Sequence, residues 1–133
     1  MYYGALEAGG TKMVCAIGDA DKNIIDRISI PTGTPDQSVP AMIDYFKKYD
    51  ISALGIGTFG PADINPNSPT YGSIMRSPKK DWEGFSLYKA FTDALGCLVV
   101  VDTDVNAAAW GEYLYGALKG LNSGMYLTVG TGI

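Results

Sequence analysis

Apolar residues along this chain change their spacing wherever glycine and proline cluster. Tyr2 to Leu6 is β-prone, and Met13 to Ile17 is an apolar run closed by Gly18-Asp19. Between them lies Glu7-Ala8-Gly9-Gly10-Thr11-Lys12, so the opening reads as a strand–turn–strand hairpin. Asn23 to Ile30 then alternates, with Ile24, Ile28 and Ile30 against Arg27 and Ser29. Asp26 spoils the apolar face, which predicts a third, partly exposed strand. After the loop Pro31-Thr32-Gly33-Thr34-Pro35, helical spacing takes over at Val39, Met42, Ile43 and Phe46, with Pro40 tolerated in a first turn. Ala53 to Thr58 is a short strand closed by Phe59-Gly60-Pro61. Ser86 caps a second helix with the face Leu87, Ala90, Phe91, Ala94 and Leu95, and Gly96 stops it. Leu98 to Val101 is continuously apolar, as for a strand covered on both faces. A third helix is predicted from Asp104 to about Leu118, with Gly120 beyond it, and Gly124 to Val129 reads as a last strand.

The order βββαβ(loop)αβαβ is α/β, three antiparallel strands followed by crossover helices. Pro61 to Phe85 is rich in proline, glycine, asparagine and serine. A loop of that length reads as a lid or substrate-contacting segment, or as a short extra hairpin around Tyr71 to Arg76; the two are compatible.

With 133 residues, 47% hydrophobic and 18% charged, the chain has the size and composition of one globular domain. A net charge of −4 excludes the basic face that nucleic acid requires. It also means that an anionic ligand would need donors supplied locally. There is no histidine and no CxxC, so a self-contained zinc site is excluded, and Cys15 and Cys97 read as core thiols. The chain opens on a strand without a leader pattern, and no apolar run approaches membrane-spanning length. Cytoplasm is the expected compartment, with no membrane partner.

Three segments carry candidate chemistry. Gly9 and Gly10 let the backbone bend and its amides approach an anion, while Thr11 adds a hydroxyl and Lys12 a positive charge. That is a phosphate cradle without the long loop of a Walker A site; the alternative is an ordinary hairpin turn. Asp102-Thr103-Asp104-Val105-Asn106 leaves a strand and opens a helix, at the sheet edge where α/β folds bind ligands. The positive end of the helix dipole favours negative charge there, and a carboxylate can take a proton from an attacking alcohol. Asp at a helix start is also a routine cap, the reading favoured for Asp102 and left open for Asp104. Gly130-Thr131-Gly132 is a second glycine–hydroxyl loop that could close on a polyphosphate from the other side, or be a plain turn.

Taken together, EAGGTK (7–12), GTFGP (57–61), SPKKDW (77–82), DTDVNAAAWGE (102–112) and VGTG (129–132) resemble the amino-terminal part of a ROK-family sugar kinase. That family lies within the hexokinase/actin-like ATPase superfamily, and the likeness is greatest to its fructokinases. The resemblance implies an actin-like ATPase (ribonuclease H-like) domain with a five-stranded mixed sheet. It also implies ATP- and Mg2+-dependent phosphate transfer to a hydroxymethyl oxygen of a hexose. Asp104 matches the catalytic base. Glu7, Gly9, Gly10, Thr11, Lys12, Gly130, Thr131 and Gly132 match the phosphate and magnesium side. Gly60, Pro61, Ser77, Pro78, Lys79 and Thr103 match the sugar side. Glu7 stands where many members carry Asp, Thr103 where many carry Asn, and Ser77 where Thr is usual; the first two lean towards fructose. Glucose, mannose, or a non-catalytic sugar-binding or regulatory role are the alternatives. The resemblance divides the chain into a sugar-side lobe, 1–120, and the start of a second lobe, 121–133. The rest of that lobe, with the family's zinc site, would lie downstream. On this reading the chain alone does not turn over, and the Gly124 to Val129 strand is left disordered, folded back or paired with a neighbour. A homodimer is left open.

Overall fold

The computed structural model describes residues 1–130. Strands β1 (Tyr2–Ala8), β2 (Lys12–Asp19), β3 (Ile24–Pro31), β4 (Ile51–Thr58) and β5 (Leu98–Thr103) form one mixed sheet in the order β3-β2-β1-β4-β5. The first three pair antiparallel; β1, β4 and β5 run parallel. Helices α1 (Pro35–Phe46), α2 (Leu87–Leu95) and α3 (Asp104–Tyr115) complete an α/β domain, the fold expected of actin-like ATPases.

The core lies on one face of the sheet. Leu6, Ala8, Met13, Cys15 and Ile17 of the hairpin meet Met42 and Phe46 of α1 and Leu87 and Phe91 of α2, all buried. Burial pushes the Cys15 thiol up to about 12, so it is an inert core group, and the half-buried Cys97 is raised for the same reason. α2 has the expected ends: Ser86 Oγ accepts from Lys89 N at 3.1 Å, and Gly96 closes the helix at φ 65°. α1 begins earlier than its apolar spacing indicated. Pro35 starts it, so Pro40 falls inside the helix on its exposed side, where its ring nitrogen has no proton to donate.

Asp26 does not spoil β3. It sits opposite Ile17 on the core side, and the Tyr49 hydroxyl donates to its Oδ2 at 2.7 Å. That hydrogen bond is the main reason the Asp26 carboxyl is held below its usual range.

β5 differs from the expectation of a strand covered on both faces. Val99 and Val101 are buried beneath α2, but Leu98 and Val100 are 66% and 52% exposed. α3 covers the second face only near the carboxyl ends of the strands, where Ala107 packs over Gly57. None of its side chains is fully buried. α3 also ends at Tyr115 instead of about Leu118, with a turn following. Gly124 to Val129 is not a strand. Each of these residues is exposed and none joins a ladder.

The long segment after β4 is held down by packing and hydrogen bonds. The Tyr71 hydroxyl donates to Val101 O at 3.0 Å and accepts from Val101 N at 2.8 Å, satisfying both groups on the open edge of β5. Ile74 and Trp82 are buried, and Trp82 Nε1 donates to Gly33 O at 2.9 Å. In place of a hairpin there are isolated bridges, Ala62 to Ile74 and Ser73 to Ser86. Its stretch from Tyr71 to Trp82 is therefore an anchored flank of the sheet and not a free lid.

Candidate functional site

Register decides which residues meet. Ala8 lies beside Thr58 and Thr58 beside Thr103, so β1, β4 and β5 end level with one another. The chain therefore leaves the sheet at one edge through Gly9-Gly10, Phe59-Gly60 and Asp104. Phe59 N donates to Ala8 O at 2.8 Å, extending the β1–β4 pairing beyond the last strand residue.

The glycine turn is tight and braced. Gly9 N donates to Lys12 O at 3.0 Å, and a methyl group on Gly9 would fall 2.6 Å from that same oxygen, so Gly9 serves the turn itself. Gly10 is different: a methyl group there would meet only Lys79 Cε, at 3.6 Å. Among the described residues, neither the Gly10 nor the Thr11 amide donates to a protein acceptor. Thr32 braces the turn from the end of β3, its hydroxyl donating to Gly9 O at 2.8 Å and its amide to Thr11 O at 3.0 Å. Two open amides above an unobstructed glycine, with Lys12 following, make a surface suited to an anion.

At the start of α3 the capping role belongs to Thr103, whose Oγ1 accepts from Asn106 N at 3.2 Å. Asp102 Oδ1 instead accepts from Thr103 N and from Asn106 Nδ2, at 2.7 and 2.8 Å, which fixes the turn. Asp104 is the first residue of the helix, with Oδ1 accepting from Val105 N at 2.9 Å. Its Oδ2 has no partner among the described residues. An oxygen without a competing donor is available to a ligand's hydroxyl.

Glu7 and Asp104 line the same cleft of about 670 Å³, together with Asp102. The cleft runs between the second face of the sheet, at Ala5 and Val100, and α3 at Trp110. That volume lies in the usual range for small-molecule sites, roughly 300–1,000 Å³. A separate cleft of about 440 Å³ is lined by residues 32–34, Gln37 and residues 78–82. Another, of about 730 Å³ between α3 and residues 118–124, reaches Asp102 but includes none of the predicted site residues. Among the described residues no group of three or more His, Cys, Asp or Glu gathers to hold a metal ion.

The remaining predicted residues fall as follows. Gly60 and Pro61 follow β4 at the shared edge. Ser77 is buried, and its Oγ accepts from Lys79 N at 3.2 Å, so it positions the neighbouring backbone; Pro78 and Lys79 are exposed. Gly130 ends the described residues as an exposed bend, and Thr131 and Gly132 lie outside them. Sequence reasoning missed the Thr32 brace and the approach of Lys79 to Gly10. Both are contacts between distant segments, and no local spacing announces them.

A ROK family model matches residues 3–133. The chain is 44% identical over 133 residues to a fructokinase of Pediococcus pentosaceus, covering 100% of this chain and 46% of that protein. It is 45% identical over 133 residues to a fructokinase of Lactococcus lactis subsp. cremoris, covering 100% and 45%. Among solved structures, a ROK family glucokinase from Streptomyces griseus in complex with glucose and AMPPNP aligns with a TM-score of 0.75 at 30% identity. That alignment covers 90% of this chain and 38% of the other. The chain thus spans less than half the length of the relatives it matches.

Proposed function

The chain belongs to the ROK family, and from that premise we propose that it is the sugar-side lobe of an ATP-dependent hexose kinase. Fructose is the favoured acceptor, and residues 121–133 begin the second lobe. The observation that carries this reading is the meeting of Glu7 and Asp104 in one cleft, at the edge where the Gly10 turn leaves the sheet. Fructose is favoured because the relatives at 44–45% identity are fructokinases, whereas a glucokinase of Streptomyces coelicolor stands at 34%.

Each role follows from chemistry. Asp104 accepts the proton of the sugar's hydroxymethyl group while that oxygen attacks the terminal phosphorus of ATP. The bond from phosphorus to the bridging oxygen breaks, and its electrons leave on ADP. Little covalent work falls to the protein, which acts by alignment and by stabilising charge. Lys12 and the amides of Gly10 and Thr11 receive phosphate oxygens. Gly60, Pro61 and the 77–79 segment line the sugar, and the Thr103 hydroxyl, whose oxygen accepts the Asn106 amide at the helix cap, keeps its proton free for a sugar oxygen. Glu7 fits a magnesium ion that arrives on the triphosphate and keeps most of its water; the ion would neutralise phosphate charge.

Phosphoryl transfer needs both walls of a cleft, so the chain by itself does not turn over. A coupled ADP-release assay tests this. No fructose-dependent release above background is expected from the 133-residue chain, and sustained turnover at a kinase-like rate would contradict it.

A further inference from the structure

Lys79 lies beside the glycine turn and lines the cleft formed by residues 32–34 and 78–82. Its Cε lies 3.6 Å from where a Gly10 side chain would begin, although the two residues come from segments far apart in sequence. The placement is braced at several points. The buried Ser77 Oγ accepts from Lys79 N, and Trp82 N donates to Lys79 O at 3.0 Å. Trp82 Nε1 is tied to Gly33 O, and adjacent Thr32 holds the carbonyls of Gly9 and Thr11. The backbone of Lys79 and the glycine turn therefore belong to one hydrogen-bonded unit. Lys80 pairs with Glu83 and Lys89 with Asp93, but Lys79 has no carboxylate partner among the described residues.

On the kinase reading, the phosphoryl group in flight lies between the phosphate turn and the sugar. A cation at that junction acts where charge spreads over the equatorial oxygens. We propose that Lys79 is a phosphate-contacting residue that binds the transferred phosphoryl group together with Lys12, in addition to bordering the sugar. Lys79 then recognises the polyphosphate of the donor and the phosphate of the product more strongly than the unphosphorylated sugar.

Titration calorimetry on the 133-residue chain, with tripolyphosphate, fructose and fructose 6-phosphate as separate probes, tests the assignment. Lys79→Met is expected to weaken tripolyphosphate and fructose 6-phosphate by about tenfold, the scale of one charge-assisted hydrogen bond, and to weaken fructose, which Lys79 only borders, by clearly less. Lys79→Arg, which keeps the charge, should restore most of that loss. Equal weakening of fructose and fructose 6-phosphate with tripolyphosphate unaffected would overturn the proposal and leave a sugar contact. Unchanged binding of all three would overturn it as well. A wild-type chain that binds none of the probes would sink the kinase reading itself, an outcome distinct from either. Lys79 is exposed, so the melting temperature of each variant should match wild type; should Lys79→Met not fold, Lys79→Gln carries the same test.

Discussion

Gly10 and Asp104 place opposite halves of the proposed chemistry at one edge of the sheet, on the ends of β1 and β5 with β4 between them, and each has an open position. A methyl group on Gly10 meets no backbone, so Gly10→Ala should fold normally while crowding the phosphates. We expect an unchanged melting temperature and weaker tripolyphosphate binding by calorimetry. Unaltered affinity would remove the cradle. Asp104→Asn in the kinase-length protein should lower kcat by about two to four orders of magnitude with KM for fructose nearly unchanged. Near-normal kcat in a steady-state assay would dismiss it as the base. Asp26 supports a pH prediction. Its carboxyl is held below 3.8 chiefly by the Tyr49 hydroxyl, and Asp19 and Asp63 are lowered by their own hydrogen bonds. A lowered folded-state value gives stability that is present above the unfolded value and lost as pH falls through the folded one. Melting temperature should therefore drop below about pH 4. Tyr49→Phe should flatten that drop in a pH series, and an identical pH profile would exclude the Asp26 contribution.

At the level of elements, the first hairpin, α2 and the succession of β1 to β5 along the chain were legible in the sequence because each rests on local signals. Glycine pairs mark the first turn, and Ser86 and Gly96 mark both ends of α2. β5 was misread because a four-residue apolar run looks the same whether one face or both are covered. Its exposure depends on what α3 reaches, and that is a tertiary fact. The anchoring of the 61–85 segment was hidden for the same reason: Tyr71 completes the edge of β5 from thirty residues away. Two substitutions test the one-sided strand. Val101→Ala should cost about 1–3 kcal/mol in denaturant unfolding, whereas Val100→Ala should stay within about 0.5 kcal/mol. Equal costs would mean that the second face is covered.

For the whole molecule, the site was legible as a set of motifs but not as an arrangement. The Gly10 turn could be named from residue types and Asp104 from the family resemblance, and their meeting at one sheet edge follows from the register that levels Ala8, Thr58 and Thr103. Leu98, Val100 and Trp110 are exposed: one sheet face is packed and the other is partly open. On the proposed reading, such a lobe holds a sugar without completing the transfer. The central claim is that sugar binds where the three parallel strands end, and amide chemical-shift mapping of the chain during a fructose titration tests it most directly. The account predicts saturable shifts confined to residues 58–61, 77–79 and 103–106. Shifts centred on α1 and α2, or none at fructose concentrations that saturate sugar kinases, would contradict it.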